Sequence, residues 1–257
     1  MKGLETRKEE SGIARLSLYE LSNNGAIDDD FCLQIHEIVA TLKRVKSIKV
    51  LILTGTPEIF CYGATAAFLH GLVAHYKTHV EHDYAHHLKE FLDIPIPVVA
   101  AMEGSATGGG LVLGLYADII VAAEESRYGM PFMNMGFTPG MGSTAMSKEV
   151  LGYHRGFEMM VTGGCLKGRD LKGKCGFNYI LPRARVMGKS LELGATIAEK
   201  SRDSLELLKK YMSMERRKML EESSTIEAFM HRISFNQDDI EARIQGHLGG
   251  WTHESSS

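Results

Sequence analysis

Three features of the chain predict an α/β fold. Short apolar runs alternate with helix-like stretches through the first two thirds, glycine-rich turns join them, and the last third is helix-forming with no proline after Pro182. Short strands separated by helices are the pattern of parallel-sheet crossovers, which sets this chain apart from a helical bundle or a β-sandwich.

Each element has a local justification. Residues 12–18 (GIARLSL) and 49–55 (KVLILTG) read as strands. Between them a helix is expected over 29–44, because Phe31, Ile35, Ile38, Val39 and Leu42 recur on one side at helical spacing. Residues 97–102 (PVVAAM) and 118–123 (DIIVAA) supply two more strands, flanking a helix that starts in or just after the GGG run at 108–110. From 185 to 247 the chain reads as almost wholly helical, with strong helix formers such as LELGATIAEK. The expected division is a core over 1–184, a helical region over 185–250 and a flexible tail over 251–257.

Composition narrows the function classes. With 257 residues, 44% hydrophobic and 24% charged, the chain can bury a full core, which excludes a disordered protein. A net charge of -3 provides no basic field for nucleic acid or an anionic membrane. The most apolar stretch, 108–123, is broken by glycines and Asp118, so no membrane span is expected. The charged start MKGLETRKEE lacks the apolar centre of a secretion signal, which gives a cytoplasmic expectation. Cys32, Cys61, Cys165 and Cys175 form no CxxC pair and read as reduced packing thiols. His70, His75, His79, His82, His86 and His87 crowd one segment, but no HExxH pattern or cysteine completes a zinc site, so no metal is expected.

Two segments carry chemistry. In IFCYGATAAF (59–68) a glycine and small residues follow a strand-like run, so backbone there can approach a ligand closely. In MEGSATGGGLVLGLYADIIVA (102–122) a glycine run separates strand from helix, and unpaired N–H groups at such a junction suit an oxygen anion. Alone, a GGG run is explained as well by close packing or a flexible turn. Neither GxGxxG nor GxxxxGK[ST] occurs, which weakens a nucleotide-phosphate reading.

Together with GFTPGMGST (136–144), these segments resemble the crotonase (enoyl-CoA hydratase/isomerase) superfamily in order and spacing over roughly 12–181. The resemblance implies a spiral of strand, strand, helix turns, a helical trimerisation region and hence a homotrimer. It also implies binding of acyl thioesters, with two backbone N–H groups holding the thioester oxygen as it becomes an enolate. Those donors fall on Ala64 and Gly109. Donors preorganised toward developing charge are commonly the largest catalytic contribution, about 3 to 4 kcal/mol each.

Hydratases of the family hold water between two glutamates, and the matching positions here are Val112 and Phe132. Neither exchanges a proton, so the acid–base factor of about 10² to 10⁴ is lost and hydration is disfavoured. Glu103 and Glu124 are alternative carboxylates, expected instead at strand ends in solvent. An enolate can also be generated by loss of carbon dioxide from an acid vinylogous to the thioester. FMNMGFTPGMGST, ILPRARV (180–186) and EAFMH (227–231) resemble the decarboxylating members of the family that serve polyketide β-branching. Those convert a 3-methylglutaconyl group on an acyl carrier protein to 3-methylcrotonyl.

On that resemblance His231 is the proton donor, Lys77 the cation for the carboxylate, and Tyr76 an assisting hydroxyl in competition with Tyr84. Phe60, Val112, Phe132 and Met133 are the expected pocket wall, while Met130, Met133, Met135 and Met141 read as pliable pocket or core. No cofactor is implied, because the thioester is its own electron sink. Two other functions remain open: a hydratase or isomerase acting on a CoA thioester, and a non-catalytic homologue that binds acyl carrier protein.

Overall fold

The computed structural model describes residues 3–6, 12–22, 25–78 and 90–254. The chain opens with β1 (Leu4–Thr6) and β2 (Ile13–Ser17), an antiparallel pair, and then enters α1 (Asp29–Arg44). Asp28 caps α1 by accepting from Phe31 N at 2.8 Å, and the expected apolar stripe faces the core.

Strand, strand, helix turns follow. β3 (Val50–Thr54) and β4 (Ile59–Cys61) lead into α2 (Ala66–Thr78). β5 (Val98–Met102) and β6 (Ser105–Thr107) lead into α3 (Gly109–Leu115). β7 (Ile119–Ala123) and β8 (Arg127–Gly129) lead through a 3-10 turn at Pro131–Met135 into α4 (Ser143–Leu151) and α5 (Tyr153–Thr162). β9 (Cys165–Lys167), the short α6 (Gly168–Leu171) and β10 (Tyr179–Leu181) complete the core.

The first strand of each turn joins a six-stranded sheet, ordered β1-β2-β3-β5-β7-β10. The second strand of each turn joins a four-stranded sheet, ordered β4-β6-β8-β9. This is the spiral expected from the sequence. The central strands are buried on both faces, which is why they read as unbroken apolar runs instead of alternating ones. Val50, Ile52, Val99, Ala101, Val121 and Ala123 point to one side, and Leu51, Leu53, Ala100 and Met102 to the other.

The helical region begins at α7 (Arg183–Ala198), whose Val186 packs on the first of these faces. α8 (Arg202–Met212), α9 (Met214–Ser234) and α10 (Ile240–Glu254) follow. An ion pair between the buried Lys209 and the solvent-accessible Asp118 anchors α8 to the core: Lys209 Nζ lies 2.7 Å from Asp118 Oδ2 and 2.9 Å from the Ile96 carbonyl. Burial pulls the Lys209 ammonium below its usual range, and Asp118 opposes that shift. Among the described residues, no helix is long and apolar enough to cross a membrane. The sequence signals missed β1, β6, β8, β9 and β10 because three-residue strands are too short to show a period.

Candidate active site

The two small-residue turns lie against each other at the ends of β4 and β6. Gly63 has φ +88°, and a Cβ on it would fall 2.8 Å from the Thr107 carbonyl and 3.3 Å from Gly109 N, so only glycine fits. A Cβ on Gly110 would lie 2.1 Å from the Cys61 carbonyl, which puts the opening of α3 in direct backbone contact with the end of β4. Thr107 Oγ1 donates to the Tyr62 carbonyl at 2.9 Å and joins the turns again.

Ala64 is held by a short bridge to Ile27, in which Ile27 N donates to Gly63 O at 2.8 Å and Thr65 N to Ile27 O at 3.0 Å. Among the described residues, no protein acceptor takes the N–H of Ala64 or of Gly109. Both residues line the same cavity, of about 410 Å³.

The cavity wall is largely apolar, with Leu69, Leu72, Phe132, Met135, Phe137 and Phe235 among its residues. Polar groups on it include Tyr62, Tyr76, Thr107, His231 and His247. Among the described residues no Asp, Glu, Lys or Arg lines it.

His231 is delivered by α9. Its Nε2 lies 2.8 Å from the Thr138 carbonyl, and since a carbonyl only accepts, Nε2 carries the hydrogen of that bond. The ring meets Phe235 at 4.8 Å and the edge of Tyr76 at 5.4 Å between centroids. Burial pushes the imidazole below its ordinary value near 6.5, and the carbonyls of Thr138 and Pro139 oppose that by favouring the charged ring. Tyr76 also stacks on Phe235 at 5.3 Å. His247, on α10, is likewise pushed down by burial.

Ala64, Gly109, Tyr76, His231 and Phe132 therefore meet at one cavity, whereas four other expected residues lie elsewhere. Lys77 Nζ pairs with Glu241 Oε1 at 3.3 Å on the outer side of α2 and does not line the cavity. Phe60 is a core residue of β4 instead of a wall residue, with its Cε1 3.5 Å from where a Cβ on Gly114 would lie. Val112 is one turn beyond Gly109 and wholly buried in the core. Met133 is 42% exposed, because three residues per 3-10 turn put Phe132 and Met135 on the cavity side and turn Met133 outward. Tyr84 and His79, His82, His86 and His87 lie outside the described residues. Sequence reasoning missed His247, Phe137 and Phe235, which no spacing rule joins to the two glycine turns.

The chain belongs to the Enoyl-CoA hydratase/isomerase family, whose sequence profile matches residues 8–249. It is an enzyme-family fold with particular relatives. The chain is 33% identical over 244 residues to the bacillaene synthase decarboxylase PksI of Bacillus subtilis (strain 168), covering 93% of this chain and 95% of that one. A solved structure described as a dehydratase/decarboxylase enzyme couple involved in polyketide β-branching is 32% identical, with a TM-score of 0.87 over 96% of this chain and 99% of that one. The ECH2 decarboxylase domain of CurF from Lyngbya majuscula is 30% identical, with a TM-score of 0.83 over 96% of this chain and 100% of that one.

Proposed function

We propose that this chain is a carboxy-lyase that converts a 3-methylglutaconyl thioester on an acyl carrier protein to the 3-methylcrotonyl thioester in polyketide β-branching. The observation that carries the reading is the cavity itself. It presents two backbone donors and an imidazole within an apolar wall, and among the described residues no carboxylate lines it to activate water. The decarboxylase relatives support the same reaction class.

The steps balance without a cofactor. The bond between C4 and the carboxylate breaks, carbon dioxide departs, and the electron pair runs through the conjugated system to the thioester oxygen. The N–H groups of Ala64 and Gly109 receive that charge in a cavity where little water competes. His231, protonated while the acid is bound, returns its proton to C4, so each turnover consumes one proton. A carboxylate entering an apolar cavity raises the proton affinity of a neighbouring imidazole, which offsets the burial of His231.

In this reading Lys77, which lies outside the cavity, parts from Glu241 and turns inward to meet the substrate carboxylate. That pair is partly exposed, at 36% and 61% of the two side chains, so parting it costs no more than about 1 kcal/mol. Tyr76 would orient the imidazole through its edge contact. The reading carries with it a cytoplasmic location and a homotrimer. Exposed Ile226, Phe229 and Ile233 on α9 and Tyr153, Phe157 and Val161 on α5 support contact between copies.

The test is mass spectrometry of a carrier protein loaded with 3-methylglutaconyl, before and after incubation in ¹⁸O-labelled water. A product lighter by carbon dioxide, without ¹⁸O, is expected. Hydrated product carrying ¹⁸O, or binding without turnover, would overturn the reading.

A further inference from the structure

α9 contains a buried carboxylate that the reaction above does not use. Glu227 is 2% exposed, and its Oε2 accepts from Gly142 N at 2.6 Å while its Oε1 accepts from Thr144 N at 2.9 Å and from Thr144 Oγ1 at 2.6 Å. A carboxylate in such a position needs these donors to offset its desolvation, so segment and charge hold each other in place.

Glu227, His231 and Ser234 lie four and three residues apart on one face of α9, and all three bond the segment 138–144. Ser234 Oγ accepts from Thr138 N at 3.3 Å and lies 3.1 Å from Thr138 Oγ1. Between these anchors the segment carries Met141 with φ 62°, in the left-handed region where a side chain is strained, and its carbonyl takes the Tyr116 hydroxyl. A strained backbone persists where its surroundings over-determine it, and here the surroundings are the Glu227 clamp.

We propose that Glu227 is a positioning residue for His231: by clamping Gly142 and Thr144 it fixes the Thr138 carbonyl on Nε2–H, and leaves Nδ1 as the nitrogen that exchanges the proton. The inference rests on the reading of His231 as proton donor, yet the geometry can be tested without substrate. The titratable groups facing His231 are Tyr76 from α2, His247 from α10 and Glu227 on its own helix. The segment 138–144 contributes none.

The variant is Glu227→Gln, which keeps the shape and turns one acceptor into a donor facing Gly142 N–H. ¹⁵N spectra of histidine-labelled protein, with His231 assigned by its loss in His231→Gln, are expected to show a neutral ring bearing hydrogen on Nε2 in the native chain. In Glu227→Gln the ring becomes a mixture of the two tautomers. On a 3-methylglutaconyl carrier protein, kcat falls by about 10²-fold, the loss typical of a reacting group misplaced by about 1 Å, while KM holds. The falling limb of the pH profile moves to lower pH, because the carbonyls that support the charged ring are loosened.

A Glu227→Gln spectrum identical to the native one overturns the proposal, whatever happens to activity. A native protein that releases no carbon dioxide sinks the functional reading alone, and the tautomer measurement still decides this one. If Glu227→Gln does not fold, Thr144→Val, which removes a single contact, should give a smaller shift in the same direction. A native spectrum in that variant overturns the proposal too.

Discussion

Gly109→Ala tests the pairing of the two backbone donors most directly. A Cβ at this position would lie 2.8 Å from Met141 Sδ, 3.0 Å from Ile27 Cδ1 and 3.4 Å from Met141 Cε. Non-bonded carbons settle near 3.5 Å or beyond, so the methyl must gain about 0.5 to 0.7 Å against two side-chain ends. Met141 cannot yield by a backbone change, because it already holds a positive φ and its carbonyl is bonded to Tyr116. Whatever part of the displacement the ends of the Met141 and Ile27 side chains do not absorb falls on the amide of residue 109, the proposed donor. Losing or misplacing such a donor costs about 10² to 10³ in kcat.

Stability should not fall with it. Alanine replaces glycine in a helix with a gain of up to about 1 kcal/mol, which offsets the crowding. The assay is carbon dioxide release from a 3-methylglutaconyl carrier protein at saturating substrate, alongside a urea melt. Gly188→Ala is the control, in α7, where an added Cβ meets nothing within 4 Å. A Gly109→Ala protein with native kcat and a native melt would refute the assignment of this amide to the thioester oxygen.

Three further outcomes are expected. Folding stability should decline on acidification through the histidine range. The folded-state value of His231 lies below 6.5, so its contribution is complete above 6.5 and is lost as pH falls through the folded value, with a slope of up to about 1.4 kcal/mol per pH unit. Urea midpoints at pH 7.5 and 5.5 should therefore converge in His231→Gln relative to the native chain. Glu241→Gln should raise kcat/KM on the carrier-bound acid, by no more than about fivefold, if Lys77 must leave that partner to meet substrate; a decrease in steady-state assays would count against the exchange. Asp118→Asn should cost about 3 to 5 kcal/mol in a urea melt, because the almost wholly buried Lys209 loses its counter-charge, and Lys209→Met in the same chain should recover much of it.

What the sequence revealed follows from what its signals physically encode. The helix at Asp29–Arg44 was legible to the residue, since its cap, apolar stripe and basic last turn agree. The central strands were legible because burial on both faces makes them uniformly apolar. The glycines of the two turns stood out because only glycine tolerates such close backbone contact. The wall was harder to read. Whether Phe60 or Phe132 faces the cavity depends on strand pleat and 3-10 phase, which residue type does not encode, and His247 reaches the cavity through the docking of α10, a long-range event with no local signature. Lys77 was placed by motif alone, and its exposed pairing with Glu241 arises between elements 164 residues apart.

The direct main-chain contact between Gly110 and Cys61 has an evolutionary corollary. Because the spacing of the two amides is set by atoms that every residue possesses, no ordinary point substitution elsewhere can retune it gradually; it is inherited whole or broken. Diversification of such a scaffold is thereby channelled into the surrounding side chains.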